Sequence, residues 1–357
     1  MKLGIVGLPN VGKTTLFNAL TGSKAETGSY TVAGAKPNVG VAKVPDERLD
    51  WLADYYHPKK YSPATIEFVD VPGVAGGGKG NEVFQAIRQV DALVEVVRCF
   101  DNDDVFLEPA DAVRDAASFE LELILADIEI VERRLDRAKK NAKGGDKKYK
   151  REAEMCQALI EHLEAEKPAR DFPFTEEDQD ILTDGGLLTV KPVIYAANLD
   201  EDGMAHVSDN ANFKALQAYA GERGAAVLPV AAKFEEDLAE LDAEEAQVFM
   251  EDLGLSETGL DRLIRTSYEL LGYISFLTAG EDDVHAWTIV RGTKAPRAAG
   301  KIHTDIERGF IRAEIVAFED LKACGSMAAA KEKGLFRLEG KDYVMRDGDV
   351  TMFRFNV

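Results

Sequence analysis

The apolar positions of the chain follow two rhythms. Short apolar-rich runs, Leu3–Val6, Thr65–Val69, Ala92–Val97, Lys191–Ala197 and Ala225–Val230, are separated by longer stretches of helical periodicity. Continuous apolar runs belong to strands buried on both faces, so the pattern predicts an α/β fold with a parallel sheet covered by helices on either side. The wide gap between the third and fourth runs predicts an insertion. Within it, residues from Pro109 to about Ala142 contain no internal Pro or Gly, and Pro109 suits a first helical turn. Leu121, Ile124, Leu125, Ile128, Val131 and Leu135 recur at three- and four-residue spacing as one apolar stripe. Lys143-Gly144-Gly145-Asp146 interrupts the pattern, and Met155, Leu159, Ile160 and Leu163 mark a second helix. Two helices joined by a short glycine turn form an antiparallel helical hairpin. From about Ile274 the rhythm changes again. Short β-type runs (His285–Val290, Phe310–Ala317, Tyr343–Met345, Thr351–Asn356) and the turn Asp347-Gly348-Asp349 predict a separate small mixed domain.

Composition narrows the picture. The 357 residues, 45% hydrophobic and 30% charged, have room for two or three domains and are not those of a disordered chain. The net charge of −21, from 43 basic and 64 acidic residues, excludes coating of nucleic acid by bulk attraction. Any such contact requires a local basic patch, and the hairpin tip carries one. Arg133, Arg134, Arg137, Lys139, Lys140, Lys143, Lys147, Lys148, Lys150 and Arg151 are opposed there only by Asp136 and Asp146. We take Arg133, Arg137, Lys139, Lys140, Lys147 and Lys148 as the candidates for contact with an RNA backbone. Residues 278–357, by contrast, carry 13 basic and 13 acidic residues, which supports a separate domain. Cys99, Cys156 and Cys324 are too few and too scattered for a disulfide scaffold or a cysteine zinc site, and fit a reducing cytoplasm. No apolar run approaches the ~18–20 residues of a membrane span, and Pro9 and Lys13 interrupt the N-terminal run too early for a signal peptide.

The chemistry begins at the first strand. Gly7-Leu8-Pro9-Asn10-Val11-Gly12-Lys13-Thr14 fits GxxxxGK[ST] and lies between a strand and a helix, the context this phosphate loop requires. Its amides, from Asn10 through Thr15, are positioned to cradle phosphates at a helix N-terminus. Lys13 neutralises phosphate charge, and the Thr14 hydroxyl is a ligand for Mg²⁺. Asp70-Val71-Pro72-Gly73 follows the second run. There Asp70 reads as the second Mg²⁺ element and the Gly73 N–H as a γ-phosphate sensor. Asn198-Leu199-Asp200-Glu201 follows a later run and is the expected base-reading loop. Guanine-reading loops have the form NKxD. With Leu199 and Glu201 in place of Lys and Asp, adenine is the better-matched base, and an acidic solvated turn is the alternative.

On these motifs the chain resembles the YchF-type, Obg-related P-loop ATPases of the translation-factor GTPase class. The resemblance rests on GLPNVGKTTLFNAL at 7–20, PNVGV at 37–41, EFVDVPG at 67–73, VRCF at 97–100, KGGDK at 143–147, NLDEDG at 198–203 and AGKIHTDIERGFIRAE at 299–314, with EGKDY and the terminal RDGDV. It implies a G domain over 1–115 and 188–276, an inserted coiled-coil domain over 117–187 and a β-grasp TGS domain over 277–357. It also implies ATP as the nucleotide, through Asn198 and Glu201, and the ribosome as partner. GTP hydrolysis on the same fold, or nucleotide binding with little turnover, remain open readings. The resemblance places Val74 where related enzymes carry a water-orienting glutamine, Gly34 at a switch threonine (Thr31 and Thr27 lie nearby), and Leu107 at a histidine proposed to assist hydrolysis. Slow intrinsic turnover is the expectation. His303 and Asp305, without a third ligand nearby, read as structural, as do Trp51, Trp287 and Cys99.

Overall fold

The computed structural model describes residues 2–25, 37–73, 80–102, 106–144, 146–178, 186–239, 241, 243–252 and 255–356. Along the chain the strands are β1 (Lys2–Val6), β2 (Asn38–Lys43), β3 (Lys60–Ser62), β4 (Thr65–Asp70), β5 (Ala92–Arg98), β6 (Val193–Asn198), β7 (Ala226–Val230), β8 (Tyr273–Ala279), β9 (Asp283–Val290), β10 (Phe310–Ala317), β11 (Arg337–Glu339) and β12 (Asp349–Phe355). The chain divides into two compact units, residues 1–41 with 67–263, and residues 42–66 with 264–357.

The first unit is built on a sheet in the order β2-β4-β1-β5-β6-β7, with the pairs β1–β4, β1–β5, β5–β6 and β6–β7 parallel. The five apolar runs read from the sequence are five of these strands. The edge strand β2 escaped that reading because Val39 and Val41 are exposed, so no apolar run marks it. Helices cover both faces. Val6, Leu93, Ile87, Phe119 and Leu123 pack on one side of the sheet, and Val97, Cys99, Tyr195, Phe213 and Leu216 form a second cluster. Burial raises the Cys99 thiol to about 12, which makes it an inert packing group. The helices of this unit begin with α1 (Lys13–Thr21). After α2 (Glu47–Tyr56), which belongs to the second unit, comes α3 (Gly80–Arg88).

Between β5 and β6 the chain leaves the sheet as α4 (Ala112–Ala142) and α5 (Lys147–Glu164). The helix starts after Pro109, because the Asp111 side chain accepts from Arg114 N and caps it. Asp146 caps α5 in the same way through Lys148 N. Arg134 of one helix bridges Glu152 of the other at 2.7 Å, the cross-pairing of an antiparallel hairpin. The apolar stripe is not the uniform one expected. Leu121 and Leu125 are exposed, and Leu123 is buried instead. The N-terminal half of α4 buries Phe119, Leu123 and Ala126 on the sheet side, whereas Ile124, Val131 and Leu135 pack with Met155, Leu159 and Leu163 of α5. Two different partners rotate the buried face along one helix. The return to the sheet is fixed by Asp127, fully buried, whose carboxylate accepts from Leu188 N at 2.7 Å and from Thr189 N and Oγ1 at 2.9 and 2.6 Å. The unit continues with α6 (Glu201–Ala205), α7 (Ala211–Glu222), α8 (Ala232–Leu238), α9 (Ala243–Asp252) and the start of α10 (Gly259–Leu270).

The second unit holds a mixed sheet in the order β11-β10-β12-β8-β9-β3. The hairpin β8–β9 and the parallel pair β12–β8, crossed by α11 (Ala295–Ile302), give the β-grasp arrangement. Its core is Ile274, Phe276, Ile289, Ala298, Phe310, Ile315 and Phe353. Tyr343–Met345 forms only a single bridge, Val344 to Lys294, rather than a strand. Residues 42–66, expected inside the first domain, group with this unit. There β3 pairs with β9 in parallel, and Trp51 of α2 packs edge-on against Phe318 at 5.6 Å. No helix among the described residues is long and apolar enough to cross a membrane.

Candidate nucleotide site

The turn between β1 and α1 is shaped by its glycines. Gly7 sits at φ +136°, where a Cβ would stand 2.5 Å from Val96 O of the neighbouring strand. Gly12 sits at φ +100°, where a Cβ would meet Asn198 Nδ2 at 2.4 Å. Both positions combine a left-handed backbone with no room for a side chain, so only glycine fits. Helices α4, α5, α6 and α7 are each capped by an Asp or Asn side chain. Helix α1 is not. Gly12 offers no side-chain cap and the first turn holds no acidic residue. The N–H groups of Lys13, Thr14 and Thr15 therefore open the helix without such a partner, at its positive end.

Lys13 lies behind this turn, 7% exposed, and its Nζ donates to Leu8 O at 2.6 Å. Burial lowers the ammonium to about 8, with the Asp70 charge pulling the other way. Burial likewise raises the Asp70 carboxyl above its ordinary range, against the pull of Thr14 and Lys13. The Thr14 hydroxyl donates to Asp70 Oδ2 at 2.9 Å, although the two residues are 56 positions apart. The strand order explains the meeting. β4 lies beside β1, and Val71 N donates to Ile5 O at 3.0 Å just past the strand end. Gly73 closes on the same turn, where a Cβ would stand 3.0 Å from Lys13 Nζ and from Pro9 backbone atoms. Thr14 and Asp70 present adjacent hard oxygens, one of them a buried carboxylate, which suits a small divalent cation.

Asn198 is held by the backbone on both sides. It is 4% exposed and both ends of its amide are occupied. Nδ2 donates to Val11 O at 2.9 Å, and Oδ1 accepts from Ala232 N at 3.0 Å. It ties the phosphate turn to the loop after β7. Leu199 is buried, its N–H donating to Val230 O at 2.8 Å. Asp200 caps α6 by accepting from Gly203 N at 2.8 Å, and Glu201 is exposed in the first turn of that helix. A cavity of about 340 Å³ opens here, lined by Leu199, Asp200, Glu201 and Asp202 on one side and Ala231, Lys233 and Phe234 on the other. The second wall carries no sequence motif. Its one signal is position, directly after a parallel strand, where such sheets bind ligands.

Of the other sequence candidates, Leu107 is fully exposed, while Gly34, Thr31, Thr27 and Val74 lie outside the described residues. Arg133, Arg137, Lys139, Lys140, Lys147 and Lys148 are all exposed around the hairpin turn. Two of their basic neighbours are engaged within the unit, Arg134 with Glu152 and Arg151 with Glu177 at 3.0 Å. No group of three or more His, Cys, Asp or Glu side chains suited to a metal occurs among the described residues.

This is the construction of a P-loop nucleoside triphosphate hydrolase with the sheet of the GTPase class. Residues 2–131 match the family described as 50S ribosome-binding GTPase, and residues 273–356 match the C-terminal family of YchF GTPases, described as a protein of unknown function (DUF933). The chain is 51% identical over 361 residues to the ribosome-binding ATPase YchF of Bacillus subtilis, covering 99% of each chain. It is 40% identical over 366 residues to Obg-like ATPase 1 of Oryza sativa, covering all of this chain and 92% of the relative. The solved structure of the Schizosaccharomyces pombe YchF GTPase superposes with a TM-score of 0.87 at 34% identity, over 99% of this chain and 97% of that one. The chain belongs to the YchF family.

Proposed function

We propose that the chain is a ribosome-associated, Mg²⁺-dependent ATPase that works in the cytoplasm as a slow nucleotide switch. The observation that carries this reading is the uncapped start of α1, backed by Lys13 and flanked by the Thr14–Asp70 pair. A triphosphate supplies the negative charge that this arrangement lacks. Phosphate oxygens would take the orphan amides, and their charge would favour the ammonium form of Lys13 beside them. Thr14 and Asp70 would hold Mg²⁺, which when bound would supply positive charge to offset the charge of the phosphates. Gly73, packed on Lys13 and Pro9, is the residue whose N–H would meet a γ-phosphate.

The relatives named ribosome-binding ATPases support ATP and the ribosome as partners. The cavity lined by Leu199 and Phe234 suits a purine ring, with an apolar residue on each wall. Glu201 at its rim supports adenine over guanine, because a longer acid lacking the neighbouring lysine is a poor guanine clamp. Leu107, where the resemblance places a histidine, supports a slow rate, because its alkyl side chain has no group to orient or deprotonate water. The basic hairpin tip supports contact with ribosomal RNA.

Isothermal titration with ATP and GTP, each with and without Mg²⁺, tests the reading. Tighter binding of ATP that depends on Mg²⁺ is expected. A clear preference for GTP removes the Glu201 argument, and equal binding without Mg²⁺ removes the metal assignment. Phosphate release measured with and without ribosomes separates a switch from a chain that only binds nucleotide. Acceleration by ribosomes is expected.

A further inference from the structure

The base cavity depends on a helix that is poorly anchored by its own sequence. α8 is seven residues long, and Ala231 gives it no side-chain cap. Its first turn nevertheless carries Lys233 and Phe234, which form one wall of the cavity. Asn198 fixes only its first amide. Next to Phe234, in the same turn, stands Glu235, 3% exposed, a residue the phosphate chemistry does not use. Its Oε1 accepts from Gly259 N at 2.6 Å, at the start of α10. The fit there is tight, since a Cβ on Gly259 would lie 2.8 Å from Glu235 Oε1 and 3.1 Å from Pro229 O. The other carboxylate oxygen, Oε2, is buried without a hydrogen-bond partner. A buried carboxylate left half unsatisfied is costly, and such groups in a native structure call for a reason. α8 joins Phe234, at the cavity, to Glu235, at the helix terminus, in adjacent positions.

We propose that Glu235 is a positioning residue for base recognition: by receiving the start of α10 it fixes α8, and with it the Ala231–Phe234 wall of the cavity. The proposal rests on the reading of that cavity as the base site. The hydrogen bond of Glu235 goes to Gly259 and not to the phosphate loop, so its loss is expected to weaken the nucleoside more than the triphosphate.

The test titrates ATP and inorganic tripolyphosphate, both with Mg²⁺, into the full chain and into Glu235→Ala, Glu235→Gln and Gly259→Ala. Glu235→Ala is expected to weaken ATP about tenfold, the scale of one charge-assisted hydrogen bond, and to leave tripolyphosphate within twofold. In turnover the change falls on KM with kcat unchanged. Glu235→Gln keeps an acceptor oxygen and is expected to restore ATP binding to near the parent value. Gly259→Ala crowds the same hydrogen bond from the other side and is expected to match Glu235→Ala, so it carries the test if Glu235→Ala does not fold. ATP affinity unchanged in folded Glu235→Ala and Gly259→Ala overturns the proposal, as does equal loss for ATP and tripolyphosphate. If the parent chain itself binds tripolyphosphate as tightly as ATP, the base-site reading fails first. A parent preference for ATP that survives in both variants sinks only the role of Glu235.

Discussion

The side-chain amide of Asn198 donates to the carbonyl of Val11 at 2.9 Å and accepts from Ala232 N at 3.0 Å, so one buried residue joins the phosphate turn to the cavity wall. Removing it leaves a buried carbonyl and a buried N–H without partners. Asn198→Ala is expected to cost roughly 2–4 kcal/mol of unfolding free energy, the sum of two such groups. ATP and tripolyphosphate should both weaken, because the turn itself loses its support. This distinguishes Asn198 from Glu235, where only ATP responds. Denaturant unfolding and titration of the same preparation give both numbers. Full stability with a selective loss of ATP means that Asn198 contacts the base instead.

These residues differ in how far the sequence discloses them. The phosphate loop is contiguous, and its glycines, lysine and threonine stand at fixed offsets, so local pattern alone places it. Asp70 needs only the order of neighbouring strands to reach Thr14. The position of Asn198 is legible in the same way, but its work is not. It meets Val11, 187 residues away, through the register that sets β6 beside β5 and β5 beside β1. Lys233 and Phe234 belong to no motif and are found by their place after β7. Residues 42–66 join the second unit through a three-residue edge strand meeting Asp283–His285 and through Trp51 on Phe318, contacts without a local signal. The rotation of the buried face along α4 is hidden for a related reason. A periodicity reading assumes one partner per helix, and this helix has two.

Asp127 shows what the inserted hairpin relies on. Its carboxylate takes two backbone N–H groups and one hydroxyl, all at or below 2.9 Å, in a fully buried setting. Asp127→Ala strands these donors and is expected to destabilise the first unit by roughly 3 kcal/mol or more. Asp127→Asn keeps one acceptor but turns an NH₂ toward an N–H, so an intermediate loss is expected. Thermal unfolding of the three proteins checks the order. An Asp127→Ala variant as stable as the parent contradicts the assigned role.

Glu235 also predicts a pH dependence. Burial raises its carboxyl to about 7, against the pull of the Gly259 and Leu260 amides; the nearby Asp261 adds to the rise and Arg262 opposes it. The folded state therefore holds this proton more tightly than the unfolded chain, whose carboxyl titrates near 4.3. The resulting stability is complete below the unfolded value and is lost as pH rises through about 7. Glu235→Gln lacks this titration. The parent is thus expected to lose stability relative to Glu235→Gln between pH 5 and pH 8, by up to a few kcal/mol. Urea midpoints for both proteins across that range decide the matter. Parallel curves mean that the group does not titrate there.

The hairpin tip makes the last prediction. Lys139, Lys140, Lys147 and Lys148 are exposed on either side of the turn, on a chain of net charge −21. Affinity supplied by the tip falls with salt as counterions displaced from phosphates return. Replacing the four lysines by Glu is expected to abolish co-sedimentation with ribosomes at moderate salt. Replacing them singly by Gln tests how many of the four meet a phosphate. For each lysine that does, the Gln variant lowers the slope of log affinity against log salt by about one. ATP binding is the control, since the tip lies far along the chain from the phosphate turn and shares no side chain with it. Ribosome binding that survives charge reversal, with its salt slope intact, places the RNA-binding surface elsewhere on the molecule.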